Sequence, residues 1–521
     1  MPPKSTKAQS QPQCAHPSLC TTSIPYAQEI GFIRPNLSQR LAAALPSGVL
    51  PSSSRPSKNS FGEADSAYPA PLVLPGSEIS LYPNEKGQSL RAWLRDGGVN
   101  RVTEQRKTIY ISLPPGYDSG VESMRGWTVP KGGDNKGGGR GETLDYELVA
   151  SYVGVFYHGL PVKVLPEGEF AWLVDGDEMG DSDGLESGKK GKGKVQAKGI
   201  GKGKSKPKAS TRPDFEEEPR VGLRSKASRK YTSIRSRPTP NYPYSNQLNL
   251  NDILDFAIAS LPDDAFALLM LLEHDLYEEE EDEFVCGRAY GGSRVSVVSG
   301  ARYWPGFDEE ENVERVHGWP ASHCEMHVEM LTNGGIVKSG NRNGREKGSI
   351  RDTAEVATKR EEGNTPLLKA LNVYSPPTSP KALTLLHIAR LARTASHELG
   401  HCFGIAHCTY YACIMQGSSS LAEDARQPPY LCPVDEAKVL RATAKGVMSE
   451  RRIEAWRRER LGVMSTFCKD VMERWGEGGG GSMFACLKAW IGGLLREEEE
   501  EGTGREAGER ERVVIDLTMD D

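Results

Sequence analysis

The chain has 521 residues, a formal net charge of −6, 26% charged residues, 56 glycines, 34 prolines and a mean hydropathy of −0.52. That near-neutral balance names no polyanionic or polycationic partner. The composition is too polar for the whole length to be core, so we expect one compact domain with long disordered additions. Ten scattered cysteines do not make a disulfide framework, the start MPPKSTKAQSQPQC lacks the apolar run of a signal peptide, and no stretch is long enough to span a bilayer. We therefore expect no membrane partner and a reduced cytoplasmic or nuclear setting.

Residues 1–70 are rich in Pro, Ser, Ala and Gln without a sustained period and read as a disordered N-terminal region, in which Cys14, His16 and Cys20 form only an idle fragment of a metal pattern. Residues 71–174 read as the N-terminal part of a catalytic domain. SLRAWLRD is a turn or two of helix, KTIYISL at 107–113 alternates as a strand, and LVASYVGVFYHGLPVKVLP at 148–166 reads as helix, turn and strand. The intervening KGGDNKGGGRGE at 131–142 lacks the Gly-Lys-Ser/Thr ending of a phosphate loop and is a spacer. Residues 175–236 read as a disordered linker. Its block GKKGKGKVQAKGIGKGKSKPKAS at 188–210 has no aromatics. It is a solvated run before it is a nuclear localisation signal or a nucleic-acid contact, and it is unsuited to base stacking.

Residues 237–445 read as the main catalytic domain. Within it, 249–277 predicts an amphipathic helix, a Pro-marked break and a buried apolar strand. EEEEDE at 278–283 is a solvated loop, and VCGRAYGGSRVSVVSGARY at 285–303 predicts a hairpin across Gly-Gly. Residues 304–380 read as a polar insertion, mostly loop over 334–381; there His323 and His327 are four apart, but with no Glu after His323 and flanks that are not apolar they suit a surface or capping role. Leu383, Leu386, Ile388, Leu391, Ala392 and Ala395 then fall at helical spacing and predict a well-buried helix over 381–404.

That helix runs into HELGHCFGIAHCTYYACIM, His397 to Met415, which contains H-E-x-x-H-x-x-G-x-x-H. His397 and His401, four apart on a helix, leave one face and can grip one metal ion. Glu398 lies one step round, able to reach a water on that metal. Gly404 can take the positive φ that ends the helix, and the turn brings back His407 as third ligand. Three imidazoles with an open fourth position make a catalytic zinc site, in which Glu398 serves as general base toward a zinc-bound water. With the later Met415 this is the metzincin signature.

The residues that follow narrow the resemblance. HC-x-x-x-x-C-x-M and LCPVDEAK, together with RKTIYI at 106–111, GLPVKVL at 159–165, QLNLNDILDF at 247–256, HDLY at 274–277 and VSGARY at 298–303, resemble archaemetzincin segments over about half the chain. The resemblance implies an α/β (α+β) fold with a mixed twisted sheet, an active-site helix and a small lower subdomain with a Met-turn, interrupted by long disordered insertions. It implies a zinc-dependent metalloprotease acting on a peptide or protein substrate, in some members as an aminopeptidase on small peptides, with an edge strand pairing with extended substrate. It also implies a second, structural zinc held by four cysteines. Cys408, Cys413 and Cys432 match three of them, and Asp435 stands at the fourth. A carboxylate ligand there, a water, another side chain or no second ion all remain compatible with that departure.

Residues 446–496 predict appended helices, and 497–521 an acidic disordered tail. In the tail VVIDLT, with Val513, Val514, Ile515 and Leu517, resembles a SUMO-interacting motif, a β-branched core that adds to a sheet edge. The rival to the enzyme is thus a non-catalytic zinc-containing binding protein recruited to SUMO-modified partners through this tail. The intact Glu398 argues against it.

Overall fold

The computed structural model describes residues 14–16, 18–51, 67–131, 144–176, 219–240, 243–332, 365–444 and 449–496. The Lys-rich block at 188–210, the spacer from 132 onward and the tail motif at 513–518 lie outside the described residues.

The strands are β1 (Thr108–Ser112), β2 (Gly116–Tyr117), β3 (Val162–Val164), β4 (Phe170–Val174), β5 (Arg220–Ser225), β6 (Tyr231–Pro238), β7 (Asn246–Asn249), β8 (Ala265–Leu272), β9 (Asp275–Tyr277), β10 (Gly287–Tyr290) and β11 (Val295–Ser299). A five-stranded sheet has the order β10-β11-β8-β1-β3, and a six-stranded sheet the order β2-β4-β5-β6-β7-β9. Both are mixed: in the first, β10 alone runs antiparallel. The main helices are α1 (Tyr146–Phe156), α2 (Leu250–Ala259), α3 (Glu325–Thr332), α4 (Pro366–Val373), α5 (Pro380–Cys402), α6 (Pro433–Thr443), α7 (Glu450–Trp475) and α8 (483–496). Among the described residues no helix is long and apolar enough to cross a membrane.

The unbroken apolar run of β8, AFALLMLL, follows from its place. It is flanked by parallel β1 and β11, and both faces are covered. Ala267, Leu269 and Leu271 join the core beneath α1 and α5, while Leu268, Met270 and Leu272 face α2 and the inner side of the six-stranded sheet. That two-residue alternation is strand geometry, each face contributing to a separate core.

α5 begins at the Ser379 cap, whose hydroxyl accepts from the Ala382 amide at 3.2 Å, with Pro380 pre-set for the first turn. It is buried nearly all round, so its polar residues need fixed partners. Arg390 forks onto Asp308 at 2.6 and 3.0 Å, Arg393 pairs with Asp424, and His387 Nε2 lies 2.6 Å from the Gly300 carbonyl.

Four expectations need correcting. Residues 18–51 are not disordered. Ile24, Ala27 and Phe32 pack on Val73, Leu74, Ile79 and Val328, and Asn36 forms a capping box with Gln39. This stretch is too short to bury a core of its own and orders against distant chain. The linker expected over 175–236 includes β5 and most of β6, whose alternate positions are Arg, Gly and Ser while Val221, Leu223 and Ile234 are buried. The loop expected over 334–381 contains α4. His323 and His327 are buried rather than on the surface, His323 Nε2 lying 3.0 Å from the Ala70 carbonyl.

The C-terminal helices are more than an appendage. Leu461, Met464, Cys468, Val471, Phe484, Leu487, Trp490 and Ile491 share one core with α5 and the Met-turn. Trp490 stacks on Tyr430 at 4.1 Å between centroids, and its indole donates to the Ala67 carbonyl at 3.1 Å. We predict that Trp490→Ala costs about 3–5 kcal/mol, read as a lowered midpoint in urea unfolding. An unchanged midpoint would mean that α8 is merely appended.

Candidate metal centres and the cleft

α5 ends as its sequence requires. Phe403 caps it, the Gly404 amide donates to the His401 carbonyl at 2.9 Å, the Ile405 amide to the Gly400 carbonyl at 3.2 Å, and Gly404 has φ of +72°. This is a Schellman ending with glycine in the left-handed position. The reversal returns His407 to the helix, and one ligand nitrogen from each of His397, His401 and His407 lies within 4.8 Å of the others.

Two carbonyls set the histidine tautomers. His397 Nδ1 lies 2.7 Å from the Ile414 oxygen and His401 Nδ1 2.7 Å from the Ile405 oxygen. Each Nδ1 therefore donates, leaving each Nε2 as a bare lone pair. Those two Nε2 atoms are 3.0 Å apart. Two lone pairs facing at that distance repel unless a cation lies between them, so the donor set fits a metal ion. Protonation is a poor substitute. Burial first, then His401 and His407, hold His397 well below its ordinary pKa, and burial with His407 pulls His401 down to about 4.

Glu398 is buried beside the three rings, and desolvation pushes its carboxyl up to about 8 against the pull of Arg288. A dication at the histidines would favour its carboxylate form. Met415, wholly buried, lies beneath the helix with its sulfur where a side chain on Gly400 would sit, 2.4 Å from an ideal Cβ there. The Met415 carbonyl accepts from the Cys408 amide at 2.7 Å, closing the turn that carries both histidine and cysteine clusters.

The second cluster unites Cys408, Cys413, Cys432 and Asp435, all buried, with one ligand atom from each within 4.8 Å of the others. Cys408 and Cys432 Sγ are 3.5 Å apart, and Asp435 Oδ2 lies 3.3 Å from Cys413 Sγ and 3.5 Å from Cys432 Sγ. A tetrahedron with zinc–sulfur bonds of about 2.3 Å has an edge of about 3.8 Å, so this set fits zinc. Asp435 turns its other oxygen to Lys438 Nζ at 2.8 Å, both side chains 1% exposed. Burial raises the Asp435 carboxyl to about 7, Cys408 adds to this, and Lys438 opposes it.

The histidines open into a cleft of about 880 Å³ lined on one side by Gly287, Arg288 and Ala289 of β10 and on the other by Ser418–Leu421, Asp424 and Gln427. Tyr303 and Arg393 also line it. Tyr303 accepts from the Thr394 hydroxyl at 2.7 Å, and Arg288 pairs with Glu278. No local motif marks Arg288, Tyr303 or Arg393, because each reaches the cleft from a different element.

With this geometry in place the comparisons are specific. A family model described as peptidase family M54 matches residues 376–439, which enclose both clusters. Human archaemetzincin-2 is 30% identical over 188 residues, 36% of this chain and 40% of that protein. Over these stretches the chain is similar to the archaemetzincins. Human archaemetzincin-1 is 26% identical over 258 residues, 49% of this chain and 41% of that protein. The chain thus spans about 40% of the length of the curated proteins it matches. Among solved structures it is similar to the archaemetzincin of Methanopyrus kandleri, at 15% identity over 65% of this chain and 96% of that one, with a TM-score of 0.26. The archaemetzincin of Archaeoglobus fulgidus complexed with malonate matches at 15% identity over 64% of this chain and 99% of that one, with a TM-score of 0.23.

Two predictions follow from the two centres. Gly404→Ala forces a left-handed alanine and drives its Cβ to 2.6 Å from Val99 Cγ2. It should cost about 2–4 kcal/mol in thermal unfolding and weaken zinc retention in dialysis against chelator. Asp435→Ala removes an oxygen from the cysteine cluster and strands Lys438 in the core. Elemental analysis should show one zinc equivalent fewer, with a stability loss of about 3–5 kcal/mol; unchanged zinc content would exclude Asp435 as a ligand.

Proposed function

We propose that this protein is a zinc-dependent metallopeptidase that hydrolyses peptide bonds of a chain laid along β10. The observation that carries the reading is the convergence of two bare Nε2 lone pairs and the His407 ring beside a buried carboxyl group, in an open cleft bordered by a sheet edge.

His397, His401 and His407 would hold the zinc. When bound, zinc supplies Lewis acidity that polarises the scissile carbonyl and makes a water acidic enough to yield its proton near neutral pH. The rest falls to side chains and backbone. The Ile414 and Ile405 carbonyls keep the two imidazoles neutral and aimed. Glu398 takes the proton from the attacking water and delivers it to the departing amine. β10 is the antiparallel edge of the five-stranded sheet, suited to binding an extended peptide by strand addition.

The finer reading, cleavage next to a free amino terminus, draws support from acidic residues of the cleft wall, Glu78, Glu278 and Glu283. They complement an ammonium group. Peptides with free and acetylated amino termini separate the two cases, since only an aminopeptidase loses the acetylated substrate.

Glu398→Gln should retain zinc by elemental analysis while losing about 10²–10⁴-fold in cleavage rate. His401→Ala should lose both metal and activity. Cleavage by Glu398→Gln at the wild-type rate would overturn the role given to the carboxyl group.

A further inference from the structure

We propose a third metal site, formed by Cys14, His16, His317 and Cys324, that staples the N-terminal arm to the insertion beside the cleft. It is separate from the catalytic and cysteine-cluster centres and does not rest on the peptidase reading.

One ligand atom from each of the four residues lies within 4.8 Å of the others, although the two halves are separated by about three hundred residues in sequence. Cys14 and Cys324 Sγ are 3.7 Å apart, close to the edge of about 3.8 Å expected for two thiolates on one tetrahedral zinc. The His16 and His317 rings meet edge to face at 5.4 Å between centroids, an approach that aims nitrogens at a shared point without stacking the rings. His317 is further prepared. Its Nδ1 lies 2.7 Å from Glu314 Oε2, which fixes that nitrogen as the donor, and its Nε2 is buried with no hydrogen-bond partner among the described residues. A carboxylate behind a histidine whose other nitrogen points into a cysteine pair is the second layer that zinc sites require. Two cysteines and two histidines are a common structural zinc set.

The surrounding backbone shows what the ion would fasten. Leu19 bridges to Cys324, the Cys20 amide donates to the His323 carbonyl at 2.9 Å, and the Glu325 amide donates to the Ser18 carbonyl at 3.1 Å. The arm thus pairs along the segment that opens α3, and the four ligands would fasten it at Cys14 and His16. That segment in turn holds the cleft wall, the Trp319 amide donating to the Ala425 carbonyl at 3.0 Å. His327 stacks flat on His317 at 3.6 Å between centroids and offers the competing set Glu314, His317 and His327.

The test is elemental analysis of the full chain, purified under reducing conditions and dialysed against zinc, with cobalt substitution as a second readout. Cys14→Ser and His16→Ala, made separately in the arm so that a folding defect in one does not decide the matter, should each bind one equivalent fewer than wild type. The cobalt protein with Cys14→Ser should lose part of the thiolate-to-cobalt absorption. His327→Ala should keep the wild-type count. Because the comparison is a difference from wild type, it stands whether or not the other two centres fill. Unchanged metal content in both arm variants, loss of the equivalent in His327→Ala instead, or a Cys14–Cys324 disulfide in the reduced protein by mass spectrometry would each overturn the proposal.

Discussion

Two backbone oxygens govern the histidine cluster of this protein. The carbonyls of Ile414 and Ile405 each engage an Nδ1 and thereby decide which imidazole nitrogen is left to face the cleft. Neither oxygen belongs to the helix that bears the histidines. One comes from the Met-turn and the other from the residue after the left-handed glycine, so the helix ending and the turn beneath it must both be correct before the rings are correct. Local geometry at Gly404 and packing around Met415 are therefore parts of the chemistry, linked through hydrogen bonds rather than through contact with substrate.

A second constraint follows from putting that helix at the centre of the core. α5 carries Arg390 and Arg393 into surroundings where an unpaired charge would be costly, and Asp308 and Asp424 meet them there. The cysteine cluster repeats the device with opposite sign. Asp435 stands among three sulfurs and turns one oxygen to Lys438, so the buried carboxyl and the buried ammonium answer each other beside the cysteines.

Much of this was legible in the chain, for identifiable reasons. β1, β8 and the β10–β11 hairpin were readable because period-2 patterning and turn residues are local. The i, i+4 spacing placed His397 and His401 on one helix face, and a single glycine signalled where the chain would turn. What escaped notice depends on distant partners. β5 and β6 hide their apolar positions among Arg and Ser beside a low-complexity run. The arm at 18–51 orders against residues far along the chain, among them Val73, Leu74, Ile79 and Val328. Cys14 and His16 looked idle because the residues that face them lie across the chain. Arg288, Tyr303 and Arg393 reach the cleft from three elements, and no spacing rule connects them.

The position of α7 and α8 bears on how such a molecule is made. Both follow the metal-binding helix in the chain, yet they supply one wall of the apolar shelter around it. During synthesis the histidines leave the ribosome before that wall exists, so the polypeptide must carry an uncovered apolar helix until its later segments arrive. Assembly of the centre is thereby tied to completion of the domain, and a chain halted before α7 would be a client for chaperones rather than a smaller folded domain.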